Sequence, residues 1–214
     1  MKNNRSVFYR NITFFRFYLI WFVGLTFIVI FTTKKESFLF INQANQPFFD
    51  IFFTFFTFIG DGIFILALAL LLFLLKYKRL ALGLFSSFII SGLIVQLIKL
   101  VANLPRPAGY FDDPSVIHSG LSNSLKEFNS FPSGHATSIF AAAVIISLYT
   151  GKKSLAVITF IIACMVAYSR VYLAHHFIED IFAGSFLGVT VGTFCYMAQE
   201  RLLVKSYEKH NWGK

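Results

Sequence analysis

Residues 154–199 read SLAVITFIIACMVAYSRVYLAHHFIEDIFAGSFLGVTVGTFCYMAQ. Two apolar runs, 154–172 and 176–199, flank a joint that carries Ser169-Arg170, His175-His176 and Glu179-Asp180. Each run approaches or exceeds the ~20 residues that an α-helix needs to cross a hydrocarbon core of about 30 Å. The stretch therefore reads as two membrane helices joined at one face of the bilayer by ionisable residues. Such residues are costly beside lipid unless they do work.

The same reading extends outward. Further spans are expected near 14–33, 61–76, 80–101 and 133–151, separated by charge, Gly, Pro or polar residues. With 57% hydrophobic residues, 14% charged residues and a mean hydropathy of +0.68, the 214-residue chain leaves no soluble domain over. The fold class that follows is an all-α membrane protein, a single domain over 1–214 built as a six-transmembrane-helix bundle. The segment 37–59 carries Asn42, Gln43, Asn45, Gln46, Pro47 and Asp50. It suits a spanning helix poorly, and its second half is expected to lie along the interface as an amphipathic segment. Lys2, Arg5 and Arg10 before an apolar run resemble a signal peptide, but Lys34-Lys35-Glu36 offers no small-residue cleavage site, so the run is read as a retained anchor.

A net charge of +9 would point to nucleic acid in a soluble protein. Here the basic residues sit in short clusters between spans, which fits topology instead and argues against a nucleic-acid partner. Of the 19 Lys and Arg residues, 13 fall in loops of one parity and six in the other: Lys34, Lys35, Lys99, Arg106, Lys126 and Arg170. The positive-inside rule makes the richer side, with both termini, cytoplasmic. Cys164 and Cys195 lie inside apolar stretches without CxxC spacing and read as small core residues.

The basic-poor face collects four helix ends: Lys99 and the Arg106-Pro107 loop after it, Pro132-Ser133-Gly134-His135, Ser169-Arg170, and His176 with Asp180. Each has a task if the ligand is a phosphate. Arg106 and Arg170 can fork onto phosphoryl oxygens while Lys99 adds a compact positive charge. Ser133 and Gly134 open a helix, where free amides and the helix dipole favour an anion. His176 and Asp180 stand four residues apart and share a helix face, so the carboxylate can bind one ring nitrogen and leave the other for attack. His135, on another helix, is then free to protonate a departing oxygen.

The ordered pattern Lys99-x6-Arg106-Pro107, Pro132-Ser133-Gly134-His135 and Ser169-Arg170-x5-His176-x3-Asp180 resembles the three signature motifs of the type 2 phosphatidic acid phosphatase (PAP2) family, in its membrane-bound lipid phosphate phosphatase branch. The resemblance implies a helical membrane enzyme with no metal and no cofactor. In it His176 takes the phosphoryl group, Asp180 supports it, and His135 protonates the leaving group and then activates water. Lys99, Arg106, Ser133, Gly134 and Arg170 would hold the phosphoryl oxygens. The family also contains soluble vanadium-dependent haloperoxidases, which the membrane character of this chain argues against.

Other features read more plainly. Taken alone, Lys99 is as well explained by snorkelling. His175 points about 100° from His176 on a helix and reads as a rim residue. His118 and His210 have no partner in any recognisable spacing. Asp112-Asp113 beside Pro114 reads as a solvated turn, and no metal is assigned to it. Gly60-Asp61-Gly62 reads as a turn opening the second span, with Asp61 on the active-site face. Gly184, Gly188 and Gly192 repeat at small-xxx-small spacing, the pattern of close helix packing.

The expected function is hydrolysis of a lipid phosphate or pyrophosphate in the bilayer, on lipid A, a polyprenyl pyrophosphate, phosphatidylglycerol phosphate or phosphatidic acid. The compositional setting is a bacterial inner membrane, with the site facing outward. The alternatives are a non-catalytic transporter or binding protein for phosphorylated lipids, and a phosphotransferase between lipids. A pure binder has no use for the His176/Asp180 pair, and no internal repeat supports a transporter.

Overall fold

In the computed structural model the described residues are 7–121 and 125–211, the side chains of Phe8, Pro114 and residues 204–211 excepted. Every regular element among them is helical. A turn, α1 (Val7–Arg10), leads into α2 (Ile12–Phe31), followed by α3 (Lys34–Asn42), α4 (Pro47–Ile59), α5 (Gly62–Leu74) and α6 (Lys78–Ala102). After a short α7 (Pro107–Tyr110) come α8 (Gly134–Thr150), α9 (Lys153–Tyr172) and α10 (Ile178–Asn211).

Local chemistry sets several boundaries. Thr33 and Glu36 form a capping box at α3, and Pro47 occupies the first turn of α4, where its missing N–H costs nothing. Asp61 caps α5 by accepting from the Ile63 amide at 2.8 Å, and Ser133 caps α8. Gly151 ends α8 with φ +64°, a left-handed conformation that glycine adopts without penalty.

The bundle is organised around α8, which is buried on nearly every side and packed by α10, α9 and α6. The expected close packing of α10 is present. A Cβ on Gly184, Gly188 or Gly192 would lie 2.7 Å from the Ser133 carbonyl oxygen, 2.3 Å from that of Thr137 and 2.5 Å from Val144 Cγ1. The absent side chains let the two backbones approach, and that approach sets the depth of Ser133 against α10.

Among the described residues four stretches are long and apolar enough to cross a membrane: Ile12–Phe31, Lys78–Tyr110, Lys153–Tyr172 and Ile178–Leu203. The expected span at 61–76 is not one of them alone. The 13 residues of α5 cover about 20 Å, too short for a ~30 Å core. Instead α4 and α5 pass as one stretch bent by 54° at Gly60-Asp61. The second half of 37–59, expected to lie along the interface, is therefore α4, which continues across the bend into α5, while the first half belongs to the separate helix α3. The 17 apolar residues of α8 reach about 26 Å, just under a full crossing.

Two of the polar residues of 37–59, Asn42 and Asp50, are buried against protein, while Gln43, Asn45 and Gln46 are exposed. The Asn42 side-chain amide donates to the carbonyl oxygens of His118 (2.7 Å) and Tyr172 (2.8 Å), and its oxygen accepts from the His118 amide at 2.8 Å. Asp50 Oδ1 accepts from the Tyr172 hydroxyl at 2.8 Å and lies 2.7 Å from His118 Nε2. His118 thus has partners after all, 68 and 76 residues away in sequence, where no spacing rule reaches.

Candidate active site

Helix α9 ends at Tyr172, and Ala174, with φ +55°, reverses the chain. The amides of His175 and His176 both donate to the Arg170 carbonyl oxygen, at 2.9 and 3.0 Å. His176 is consequently held in this turn, two residues before α10 begins, rather than on the helix face expected from residue 176 onward. The pairing survives the difference: Nδ1 of His176 lies 3.3 Å from Asp180 Oδ2. The same carboxylate oxygen accepts from the Phe177 amide at 2.8 Å and from the Ser130 hydroxyl at 2.5 Å, and Ser130 Oγ is 3.5 Å from His176 Nδ1. A carboxylate on Nδ1 fixes the proton there and leaves the Nε2 lone pair for attack. Burial, followed by the positive charges of Arg170, Arg106 and Lys99, pushes the His176 pKa well below the ordinary imidazole value. The ring is therefore neutral, the state a nucleophile requires.

The cations do not all stand as expected. Arg106 is buried and donates to three carbonyl oxygens, of Phe128 (2.9 Å), His175 (3.2 Å) and Asn129 (3.3 Å). It ties the 125–130 loop to the histidine turn, and the remainder of its five N–H donors is left for an anion. His175 contributes its carbonyl to that tie. Arg170, 6% exposed, bonds Thr57 Oγ1 through Nη1, while its buried Nε has no hydrogen-bond partner among the described residues. A buried guanidinium with an unmatched donor is expensive unless an anion completes it. Lys99, in the last turn of α6, is close enough to Arg106, Lys126, Arg170 and Asp180 to interact electrostatically with each.

At the start of α8 the Ser133 amide is already used, donating to the Asp180 carbonyl oxygen at 3.0 Å, and the Ser133 hydroxyl oxygen accepts from the Ala136 amide. The amides left for an anion are those of Gly134 and His135, which have no intrahelical acceptor one turn behind them. A Cβ on Gly134 would meet only Val95, at 4.0 Å, so the backbone is open on that side. His135 and Gly134 line a cavity of about 190 Å³ with Gly60, Ser91, Gln96 and Ser138. Asp61 Oδ2 lies 3.8 Å from His135 Nε2.

Motif reading misses two residues here and leaves a third without a partner. Ser130 lies two positions before the Pro132-Ser133-Gly134-His135 motif, Thr57 belongs to the stretch assigned to the interface, and Asp61, expected on the active-site face, has no partner in the sequence reading. No local spacing rule connects any of them to the site, since their partners lie 50, 113 and 74 residues away.

Comparison with known proteins supports the same grouping. A sequence model of the PAP2 superfamily matches residues 80–203, which contain all three motifs. Lipid phosphate phosphatase 2 of Arabidopsis thaliana is 31% identical over 158 residues, covering 62% of this chain and 53% of that protein. The chain thus spans about half the length of that relative. Lipid A 4'-phosphatase of Porphyromonas gingivalis is 27% identical over 174 residues, 78% of this chain and 73% of the relative. The crystal structure of Aquifex aeolicus LpxE superposes with a TM-score of 0.67 at 30% identity, covering 75% of this chain and 92% of the other. The neutral His176 held by Asp180, the ring of cations around it and the match over more than half of the chain lead to one assignment: the protein belongs to the PAP2 superfamily.

Proposed function

We propose that this chain is a membrane-embedded phosphatase that removes phosphate from a lipid phosphate or pyrophosphate through a phosphohistidine at His176. The observation that carries the reading is the placement of the imidazole, with Nδ1 3.3 Å from Asp180 Oδ2 and Lys99, Arg106 and Arg170 near enough to act on it electrostatically, a pairing that leaves Nε2 for attack when the proton sits on Nδ1. Arg170 Nε and the amides at the start of α8 supply donors for the phosphoryl oxygens. Catalysis then comes from positioning and charge stabilisation rather than from covalent novelty. His135 gives its proton to the leaving oxygen and afterwards takes one from water.

The donor set is cationic, which supports a reaction that needs no metal. Six crossings are read from four complete spans, the bent α4–α5 pair and α8. The distribution of basic residues supports an outward-facing site in a bacterial cytoplasmic membrane. Both lipid monophosphates and lipid diphosphates are candidate substrates, because the relatives include a lipid phosphate phosphatase and a lipid A 4'-phosphatase as well as an undecaprenyl-diphosphatase. The test is phosphate release by the purified chain in detergent from phosphatidic acid, lipid A, phosphatidylglycerol phosphate and a polyprenyl pyrophosphate. Hydrolysis of at least one, abolished in His176→Ala, is expected; binding of all four without phosphate release would point to a lipid-phosphate binder instead.

A further inference from the structure

A general acid must carry a proton when the leaving oxygen departs, and the surroundings of His135 work against one. The charged or titratable groups that face it are Lys99 from α6, Arg170 from α9, and His175 and His176 from the α9–α10 turn. Every one of these is a cation or becomes one on protonation. The carboxylate of Asp180 is already engaged by His176, Ser130 and the Phe177 amide. Among the described residues the one carboxylate within ion-pair range of His135 is Asp61, at 3.8 Å from Nε2.

Asp61 is held there from three directions. Its Oδ1 is used to cap α5 at the Ile63 amide, which aims Oδ2 toward the imidazole. The carbonyl of Gly60 accepts from Ser138 on α8 at 3.1 Å, one turn beyond His135. A Cβ on Gly60 would lie 2.3 Å from Val166 Cγ1 and 3.4 Å from His135 Cβ, so glycine is what lets the turn sit this close to α8. The bend between α4 and α5 therefore places a carboxylate beside the acid of the reaction.

We propose that Asp61 is a positioning residue that acts through His135, its carboxylate holding the imidazolium at the leaving-group end of the site. The proposal rests on the phosphatase reading above. In the first step the bond from His176 Nε2 to phosphorus forms as the bond to the ester oxygen breaks. That oxygen keeps the bonding pair and takes the His135 proton, leaving as the neutral alcohol. In the second, neutral His135 takes a proton from water as the water oxygen attacks phosphorus and His176 is released with free phosphate. His135 changes charge twice in each turnover, and Asp61 steadies its charged form without touching the substrate.

The test uses Asp61→Asn and Asp61→Ser, both of which keep a side-chain oxygen to cap α5. The full-length variants are compared in detergent on p-nitrophenyl phosphate and on the lipid monophosphate that the parent protein hydrolyses fastest. Loss of the negative charge removes the carboxylate 3.8 Å from the imidazole, so the imidazolium is held less well at a given pH. For the lipid, kcat is expected to fall about tenfold with KM little changed, and the alkaline limb of its pH profile to move about one unit lower. The nitrophenol burst should keep its rate within about twofold, since that leaving group departs without a proton. An equal slowing of the burst, an unchanged lipid kcat, or a fall in kcat with the alkaline limb in place would each overturn the assignment while leaving the phosphatase reading intact. A parent protein that releases phosphate from neither substrate would overturn both.

Discussion

Ser130→Ala removes a hydroxyl that no motif names. Ser130 is fully buried, donates to Asp180 Oδ2 at 2.5 Å and lies 3.5 Å from His176 Nδ1. Of the hydrogen bonds on that carboxylate oxygen, those from the Phe177 amide and the His176 ring would remain. A hydrogen bond to a charged group contributes about 1.5–3 kcal/mol. If the loss falls on the transition state, where His176 must stay aligned, kcat drops by about 10- to 150-fold. KM should shift by less than about threefold, because Ser130 makes no bond to Lys99, Arg106 or Arg170. The assay is phosphate release in detergent across a range of lipid phosphate concentrations, with thermal unfolding measured alongside. A folded variant with kcat within about twofold of the parent, or a loss confined to KM, would refute the role given to Ser130 and the idea that Asp180 acts by orienting His176.

Three further outcomes are expected. Gly188→Ala places a Cβ 2.3 Å from the Thr137 carbonyl oxygen, so α8 and α10 must separate at a cost of roughly 1–3 kcal/mol; the unfolding midpoint should fall by about 2–12 °C, while Gly24→Ala, with nothing within 4 Å, leaves it unchanged. Cysteine at exposed Ser115, with Cys164 and Cys195 replaced, should react with an impermeant thiol reagent in intact cells, and cysteine at exposed Ser154 should not; the reverse pattern would place the site on the cytoplasmic side. Activity should persist in excess chelator and be inhibited competitively by vanadate, a trigonal-bipyramidal phosphate analogue; loss of activity restored by a divalent ion would replace the cation-based mechanism with a metal-assisted one.

Much of the site is legible because its parts are encoded locally. His176 and Asp180 stand four residues apart, and Ser133-Gly134-His135 opens a helix, so elementary geometry nearly suffices. Even there the reason differs, since His176 reaches Asp180 from a turn fixed by Ala174 and the Arg170 carbonyl. What is not legible depends on pairs that only the folded bundle creates. Ser130 meets Asp180 because the loop before α8 is tied down by Arg106, and Thr57 meets Arg170 because α4 packs on α9. Asp61 meets His135 because Gly60 allows the α4–α5 bend to press on α8. Asn42 and Asp50 read as foreign to lipid, but their partners, His118 and Tyr172, lie too far along the chain for hydropathy to reveal that these two side chains face protein.

The central claim is that phosphorus is transferred to His176. It is tested most directly by giving His135→Ala an activated aryl phosphate bearing radiolabelled phosphate, quenching after the burst, and locating the label by peptide mass spectrometry. The nitrophenolate departs without a proton from His135, while hydrolysis of the adduct lacks its base. The expected result is a burst of phenol and an acid-labile, base-stable phosphate on the peptide containing His176, absent when His176→Ala is added. Label on any other residue, or a burst that survives without His176, would contradict the account.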